Sequence, residues 1–254
     1  MPCHEFPNSG SRTWLRLANS NRTPPMTTPS MEWGRHDWTG TAADFHAMEL
    51  PYERALWWCN VETPTVILGS TQSVDDVNQS VANEHGVTVS RRRSGGGAVF
   101  VHPSDSVWID ITISRSDPLW KDDVAQSMLW LGELFVEALS PWVQANVYRD
   151  SFSIGADGRV VCFASSSPGE VFVGANKLVG ISQRRGRDGA RFQCVLYRHW
   201  RPDEWSFVLA SSEVRSRVAD IAVATLDIPA ASIVNAVSER LSGLSGEESG
   251  GIRG

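Results

Sequence analysis

The segment from about residue 144 to 197 is the feature that most constrains the fold. It contains five short apolar runs, and turn signals such as ADGR, SSSPG, GAN and GRDG separate them. Closely spaced strands joined by turns of this kind form hairpins, which makes neighbouring strands antiparallel. The five predicted strands lie at 144–148, 159–164, 169–174, 177–183 and 190–197.

The rest of the chain supplies further strands and the helices that cover the sheet. Residues 106–113 alternate, with Val107, Ile109, Ile111 and Ile113 on one face, which indicates a half-buried strand. A second strand is predicted at 64–70. Helical patterns occur at 75–86, 121–140, 202–209, 213–226 and 230–241. We therefore expect an α+β domain with a mixed, mostly antiparallel sheet flanked by helices.

Composition sets the domain limits and excludes some function classes. Residues 1–30 and 242–254 lack buried-face patterns, so they are predicted to be a flexible leader and a disordered tail around a domain at 31–241.

The net charge of −6 argues against a nucleic-acid partner. No apolar run approaches the about 20 residues needed to cross a bilayer, so no membrane contact is expected. The four cysteines form no CxxC pair, which is typical of reduced thiols and a cytoplasmic protein.

The strongest local motif is the run RRRSGGGAVF at 91–100. Three glycines after a strand-like segment let a ligand approach the backbone, whose N–H groups can bind anionic or carbonyl oxygens. The arginines add positive charge for a phosphate or carboxylate. A loose turn beside a solvated basic run is an equally good account of this motif when it stands alone.

A second motif, CFASSSPGEVFVGANKLVGISQRR at 162–185, contains one of only two lysines in the chain. Lys177 follows a GAN turn and begins an apolar strand, where an ammonium could stabilise developing negative charge. Without its neighbours it would be an ordinary surface lysine at a hairpin end. Cys162 lies in an apolar run, and a buried, unreactive thiol is the more common state of such a cysteine.

The common catalytic signatures are absent from the sequence. It contains no GxxxxGK[ST] loop, HExxH, GxSxG or helix-opening GxGxxG. The six histidines are scattered without metal-ligand spacing, so no metal site is predicted.

Taken together and in order, the two motifs resemble those of lipoate–protein ligases. RRRSGGGAV is similar to the lipoyl-binding glycine loop of that family, and ANKLVGISQRR is similar to its lysine segment. The resemblance implies the catalytic-domain fold shared with biotin–protein ligases. It also implies that Gly95, Gly96 and Gly97, with Ser94 and Gly180, line the acyl and adenylate site, that Arg93 contacts phosphate, and that Lys177 contacts the activated carbonyl or the phosphate. Which of the three arginines points inward stays open.

The resemblance implies an enzyme that attaches a lipoyl or octanoyl group to a lysine of a lipoyl-domain protein. As a ligase it would use lipoate or octanoate with ATP and Mg²⁺ and act through an acyl-adenylate. Acceptors would be of the 2-oxoacid dehydrogenase or glycine-cleavage type. Biotin attachment is less favoured, because the glycine loop is more lipoyl-like.

Two alternatives stay open. The context of Cys162 is similar to that of cysteine-dependent octanoyltransferases, which take octanoate from acyl carrier protein through a thioester, without ATP. The other is a binding module without catalysis. It is favoured by a departure from the family, since ARFQCVLYR at 190–198 lacks the histidine that relatives often carry there. His102 also falls one position late, and the accessory C-terminal domain of many ligases has no counterpart here.

Overall fold

The computed structural model describes residues 31–247, which form ten strands and five α-helices. The strands are β1 (Gly34–Gly40), β2 (Ala55–Val61), β3 (Thr65–Leu68), β4 (Thr88–Arg91), β5 (Val99–Val101), β6 (Ser106–Ser114), β7 (Asn146–Val147), β8 (Val171–Val173), β9 (Asn176–Arg185) and β10 (Gly189–Tyr197). The helices are α1 (Ala42–Ala47), α2 (Gln79–Glu84), α3 (Leu129–Leu139), α4 (Ser212–Ala219) and α5 (Ala230–Glu247). None of the helices within 31–247 is both long enough and apolar enough to cross a bilayer.

Seven strands form one large sheet in the order β1-β2-β6-β10-β9-β8-β7. Only β1 and β2 are parallel in it, and the other neighbours are antiparallel. A small sheet has the order β4-β3-β5, with β3 parallel to β4 and antiparallel to β5. The predicted mixed, mostly antiparallel architecture is therefore confirmed.

One face of the large sheet is covered by α3 and α5. The predicted inward residues of β6, among them Ile109 and Ile111, lie in one core with residues of α3 and α5. The other face of β6 is buried as well, so the prediction of a half-buried strand is wrong. Helix α3 begins later than the predicted 121, at Leu129. The reason is local: the carboxylate of Asp123 accepts the N–H groups of Ala125 and Gln126, which holds a turn where the helix was expected.

The opposite face of the large sheet packs against the small sheet. Trp108 and Tyr197 of the large sheet share a core with Val66 and Phe100 of the small one, and Trp205 stacks on Phe100 at 5.4 Å between ring centroids. This second core holds the glycine-rich loop between β4 and β5 against the large sheet. The residues of the candidate site come together at this junction.

Some predicted elements differ from the structure. Residues 159–164 do not form a strand, because Val160 and Val161 fold back onto the carbonyl oxygen of Asp157 and a 3-10 helix, Cys162–Ala164, follows. The predicted helix at 202–209 is two 3-10 turns, and the one at 213–226 ends at Ala219. Helix α5 continues through 242–247, part of the predicted tail. The predicted leader, 1–30, and residues 248–254 lie outside the described residues.

Candidate functional site

The glycine loop lies so close to neighbouring backbone that two glycines admit no side chain. A Cβ on Gly97 would lie 2.7 Å from the backbone N and C of Val161, and one on Gly69 would lie 1.9 Å from the carbonyl oxygen of Gly96. Gly96 has a φ of 97°, which favours glycine. These contacts fix the loop against the end of β3 and the segment that leads to Cys162.

Arg92 is the arginine of the RRR run that points inward. Its side chain is buried, and Nη2 donates to the carbonyl oxygens of Gly95 and Gly97 at 2.9 and 2.8 Å. Arg91 and Arg93 are exposed. Arg92, which the sequence interpretation did not single out, therefore braces the glycine loop from inside.

Arg93 forms part of a basic cleft on the outer side of the loop. It donates to Glu49 at 2.8 Å, and Arg184 of β9 donates to the same carboxylate at 3.1 Å. Arg184 and Arg93 hold the pKa of Glu49 below its usual value. Two arginines from different elements thus converge on one anionic group.

Cys162 is held beside the glycine loop by a short backbone ladder. The N–H of Ala98 donates to the carbonyl oxygen of Val160 at 2.7 Å, and the N–H of Cys162 donates to that of Ala98 at 2.9 Å. The thiol is free and half-buried. A Cβ placed on Gly96 would lie 4.0 Å from its Sγ, so the two sequence motifs meet at this point.

Lys177 is buried in an ion pair rather than exposed at a hairpin end. It is 1% exposed, and its Nζ donates to Glu170 Oε1 at 2.8 Å and to the carbonyl oxygen of Cys162 at 2.9 Å. Glu170 also accepts the N–H groups of Ser167 and Ile181. Burial raises the pKa of Glu170, and the Lys177 ammonium opposes that rise. No pattern in the sequence indicated this carboxylate partner.

An apolar cavity lies between the glycine loop and the large sheet. Its apolar lining consists of Ile67, Val99, Trp108, Phe163, Ile181 and Val195. Its polar lining consists of His46, Arg92, Cys162, Ser182 and Gln193, and Gly180 completes the wall. A Cβ on Gly180 would lie 3.1 Å from the ring of Phe163, so this glycine keeps space open. Lys177 is not among the lining residues.

The cavity adjoins the basic cleft. His46 and Gln193 line both spaces, and the cleft is completed by Arg93, Ser94, Arg184 and Arg191. The apolar part has about 30 Å³ accessible to a water molecule, well below the roughly 300 Å³ or more of a typical ligand pocket. A chain-like ligand therefore requires lining side chains to move. The pair of spaces suits a molecule with an apolar tail and an anionic head.

The sequence-predicted residues divide among these features. Cys162 and Gly180 line the cavity, and Arg93 and Ser94 line the cleft, whereas Gly95, Gly96 and Gly97 are among the lining residues of neither space. The functional roles assigned to them stay predictions. Arg92 and Arg184 are neighbours of predicted residues within the same two motifs. His46 and Gln193 carried no motif signal and are brought to the site only by the fold.

One cluster of potential metal ligands lies outside the site. His102, Asp105 and Glu204 offer ligand atoms within 4.8 Å of one another. However, the guanidinium of Arg201 lies 3.0 Å from Glu204 and 3.8 Å from Asp105. The positive charge of Arg201 between the two carboxylates explains why they can lie close together.

Comparison with known proteins identifies a family model that matches most of the chain and a relative that matches part of it. Residues 45–242 match the family described as "Lipoyl protein ligase A/B catalytic domain". A stretch of 85 residues is 31% identical to "Lipoate--protein ligase 1" of Staphylococcus aureus, and it covers 33% of this chain and 23% of that protein.

Solved structures share the fold at low sequence identity. "Lipoate-protein ligase A bound with ATP" has a TM-score of 0.62 and 19% identity, covering 84% of this chain and 85% of the other. A bipartite lipoate protein ligase with its E2 lipoyl domain, from Thermoplasma acidophilum, has a TM-score of 0.62 and 17% identity, covering 84% and 83%. At these identities the match establishes the fold.

Proposed function

Because the chain belongs to the family of lipoyl protein ligase A/B catalytic domains, we propose that it attaches a lipoyl or octanoyl group to a lysine of a lipoyl-domain protein. The observation that carries the proposal is the apolar cavity joined to a cleft that contains Arg93 and Arg184. An eight-carbon acid activated as an adenylate has this combination of apolar tail and anionic head.

The preferred mechanism is ligation through an acyl-adenylate. The carboxylate of lipoate or octanoate attacks the α-phosphate of ATP and releases pyrophosphate. The acceptor lysine then attacks the acyl carbonyl, and AMP leaves with the former carboxylate oxygen. Mg²⁺ would accompany ATP as the counter-ion of its phosphates, the usual way in which proteins bind this cation.

Residues of the basic cleft are proposed to bind the phosphate. Arg93 and Arg184 already share the carboxylate of Glu49, an anion that a phosphate oxygen could replace. Fixed cations of this kind stabilise charge that develops during phosphoryl and acyl transfer. Ser94, which lines the cleft, would supply a hydroxyl donor, and the backbone of Gly95, Gly96 and Gly97, which follow it in the chain, would supply N–H donors.

Lys177 is proposed to stabilise the reacting carbonyl from behind the cavity wall. Its ammonium donates to Glu170 and to the Cys162 carbonyl oxygen. To reach the ligand it must give up the contact with Cys162 while Glu170 keeps it charged. This makes movement of the 162–164 turn part of the proposal, in line with the small volume of the cavity.

Cysteine-mediated octanoyl transfer is the second candidate function. The observation in its favour is that Cys162, beside Gly96, lines the apolar cavity where an acyl chain would lie. The thiolate would attack the thioester of octanoyl-acyl carrier protein and release the carrier thiol. The acceptor lysine would then attack the enzyme thioester, form the amide and restore the Cys162 thiol.

We also propose the class of the acceptor protein and the cellular compartment. Acceptors of the 2-oxoacid dehydrogenase or glycine-cleavage type present a lysine on a lipoyl domain, and the T. acidophilum neighbour is described with such a domain. A cytoplasmic location is supported by free Cys59, Cys162 and Cys194.

Two half-reactions separate the candidates. Exchange of labelled pyrophosphate into ATP that depends on octanoate or lipoate would support ligation. An octanoyl adduct on the protein after mixing with octanoyl-acyl carrier protein without ATP, absent in Cys162→Ala, would support transfer. If neither reaction occurs with the folded protein, the enzymatic proposal fails and a binding module is left.

A further inference from the structure

His46 places an unused hydrogen-bond donor at the junction of the cavity and the cleft. The residue lies on α1, whose C-terminal carbonyl oxygens are held by a buried arginine. Arg191 donates to the oxygens of Phe45 and Met48 at 3.0 and 2.9 Å and to Asp110 at 2.5 Å. The imidazole also packs on Trp108, with ring centroids 4.8 Å apart. The ring is therefore firmly positioned.

Gln193 determines which ring nitrogen carries the proton. Its Nε2 lies 3.1 Å from His46 Nδ1. An amide nitrogen can only donate, so Gln193 donates to Nδ1. Nδ1 of His46 is then the acceptor, and the proton of the neutral ring is on Nε2.

The ring is neutral at physiological pH. Burial, with Arg191 and then Arg92 adding charge repulsion, lowers the pKa of His46 to about 3. A neutral imidazole with its proton on Nε2 is a donor that remains unchanged over the working pH range of most proteins.

The Nε2 atom of His46 is shut off from solvent and has no partner among residues 31–247. Two further buried polar atoms in the same state, Arg92 Nε and Ser94 Oγ, also belong to residues that line the cavity or the cleft. Other such atoms in the described residues are scattered over Trp33, Trp57, Thr63, Ser90, Trp130 and Trp205. Buried polar groups are normally paired, so three unpaired atoms around the adjoining cavity and cleft indicate polar ligand atoms there.

We propose that His46 is a specificity-determining residue, whose Nε2–H donates to an oxygen at the carboxyl end of the bound acyl chain. This role rests on the proposed function, and it names the group that selects the head of the acyl substrate. The apolar lining accepts any alkyl chain, whereas this donor is satisfied only when the chain ends in an acceptor oxygen. Gln193 acts as a positioning residue, because it fixes the tautomer of His46.

The test compares octanoate binding by wild type and His46→Phe, measured by calorimetry. Phenylalanine keeps a ring against Trp108 and removes the donor, so octanoate affinity should fall about ten-fold. His36→Phe is the matched control, since His36 also stacks on a tryptophan, Trp57 at 4.1 Å, on β1. The His36→Phe variant should bind octanoate with the affinity of wild type.

A second measurement observes the ring nitrogen of His46 directly. In ¹⁵N-histidine-labelled wild type, one Nε2–H resonance should shift on octanoate addition and be missing from His46→Phe. Octanoate affinity should show no histidine titration between about pH 5 and 8. Loss of affinity in wild type above about pH 6.5, absent in His46→Phe, would show an imidazolium and overturn the role of the neutral donor.

The two levels of the proposal fail in different ways. Wild-type binding with unchanged affinity in His46→Phe would overturn the role of His46 alone. If wild type binds neither octanoate nor lipoate and modifies no lipoyl domain, the proposed function fails, and the role of His46 fails with it.

Discussion

Replacing Lys177 by methionine should destabilise the fold in a pH-dependent way. Methionine retains an unbranched chain in the space that Lys177 fills, but it leaves Glu170 buried without its cation. Glu170 is 2% exposed, and its remaining donors are the N–H groups of Ser167 and Ile181. Removing one partner of a buried pair is costly, because the other charge remains in an apolar environment.

The magnitude follows from protonation of Glu170. An unfolded glutamate has a pKa of about 4.3, about 2.7 units below pH 7, and each unit is about 1.36 kcal/mol. In the variant, Glu170 can avoid the burial of an uncompensated charge by binding a proton. Binding that proton at pH 7 costs about 3.7 kcal/mol, so the loss of folding stability is limited to about this value. At pH 5 the same cost is about 1 kcal/mol.

Burial sets the direction of the pH dependence. It raises the pKa of Glu170, and in the variant the charge of Lys177 no longer opposes that rise. The folded variant then binds a proton that the unfolded chain has lost, so its stability falls as pH rises above about 4.3. Urea unfolding followed by tryptophan fluorescence at pH 7 and pH 5 measures the difference. The double variant Lys177→Met with Glu170→Gln is the control and should recover most of the stability at pH 7.

Equal stability of Lys177→Met and wild type at pH 7, or a loss that does not shrink at pH 5, would show that Lys177 does not compensate the buried charge of Glu170. The stability data also decide how to interpret activity. If the double variant is folded but transfers no acyl group, Lys177 acts in the reaction. If it retains full transfer, the ion pair is structural and the catalytic role of Lys177 is wrong.

Three further predictions concern the loop, the cleft and α1. Gly97→Ala should lower stability by about 1–3 kcal/mol in thermal or urea unfolding, because its Cβ would meet the backbone of Val161 at 2.7 Å. Gly95→Ala, with nothing within 4 Å of its Cβ, should be nearly neutral, and similar losses in both would contradict the packing argument. Glu49→Gln should strengthen AMP binding several-fold in a titration at low salt, because Arg93 and Arg184 lose a competing carboxylate; unchanged affinity would exclude these arginines from the anion site. Because the pKa of His46 is lowered to about 3, the unfolded chain alone binds this proton between about pH 6.5 and 3, so stability should decrease as pH falls through that range, by about 2 kcal/mol at pH 5. His46→Phe should lose this part of the acid sensitivity, and an unaltered pH profile would contradict the burial of a neutral ring.

Several parts of the fold could be predicted because their patterns are local. The alternation of β6 places Ile109 and Ile111 in the core that α3 and α5 cover, and the GAN and GRDG turns bound β9 and β10. The glycine run marked the loop because only glycine permits its contacts with the backbone of Val161. In each case the structure is determined by residues that are close together in the sequence.

Other parts depend on contacts between distant segments. β1, with its burial alternating between exposed and partly exposed positions, has a weak apolar signal and exists through its pairing with β2. The apolar run at 159–164 was predicted as a strand. It bonds instead to Ala98 by one isolated bridge and turns at Cys162. The residue pattern within each segment does not indicate which distant segment it pairs with.

The polar geometry of the site was the least predictable part. Three adjacent arginines look alike in sequence, and only the fold turns Arg92 inward and leaves Arg93 in the cleft. The pairing of Lys177 with Glu170 and the position of His46 beside Gln193 likewise arise from tertiary packing.

Acyl ligation is tested most simply by the intact mass of a lipoyl domain after incubation with this protein, octanoate, ATP and Mg²⁺. A ligase adds one octanoyl group to a single lysine, and the gain depends on ATP and is lost when that lysine is replaced by arginine. A gain that occurs only with octanoyl-acyl carrier protein and without ATP would contradict the ligase mechanism in favour of transfer through Cys162. An unmodified domain in both reactions, with folded protein, would contradict acyl attachment itself.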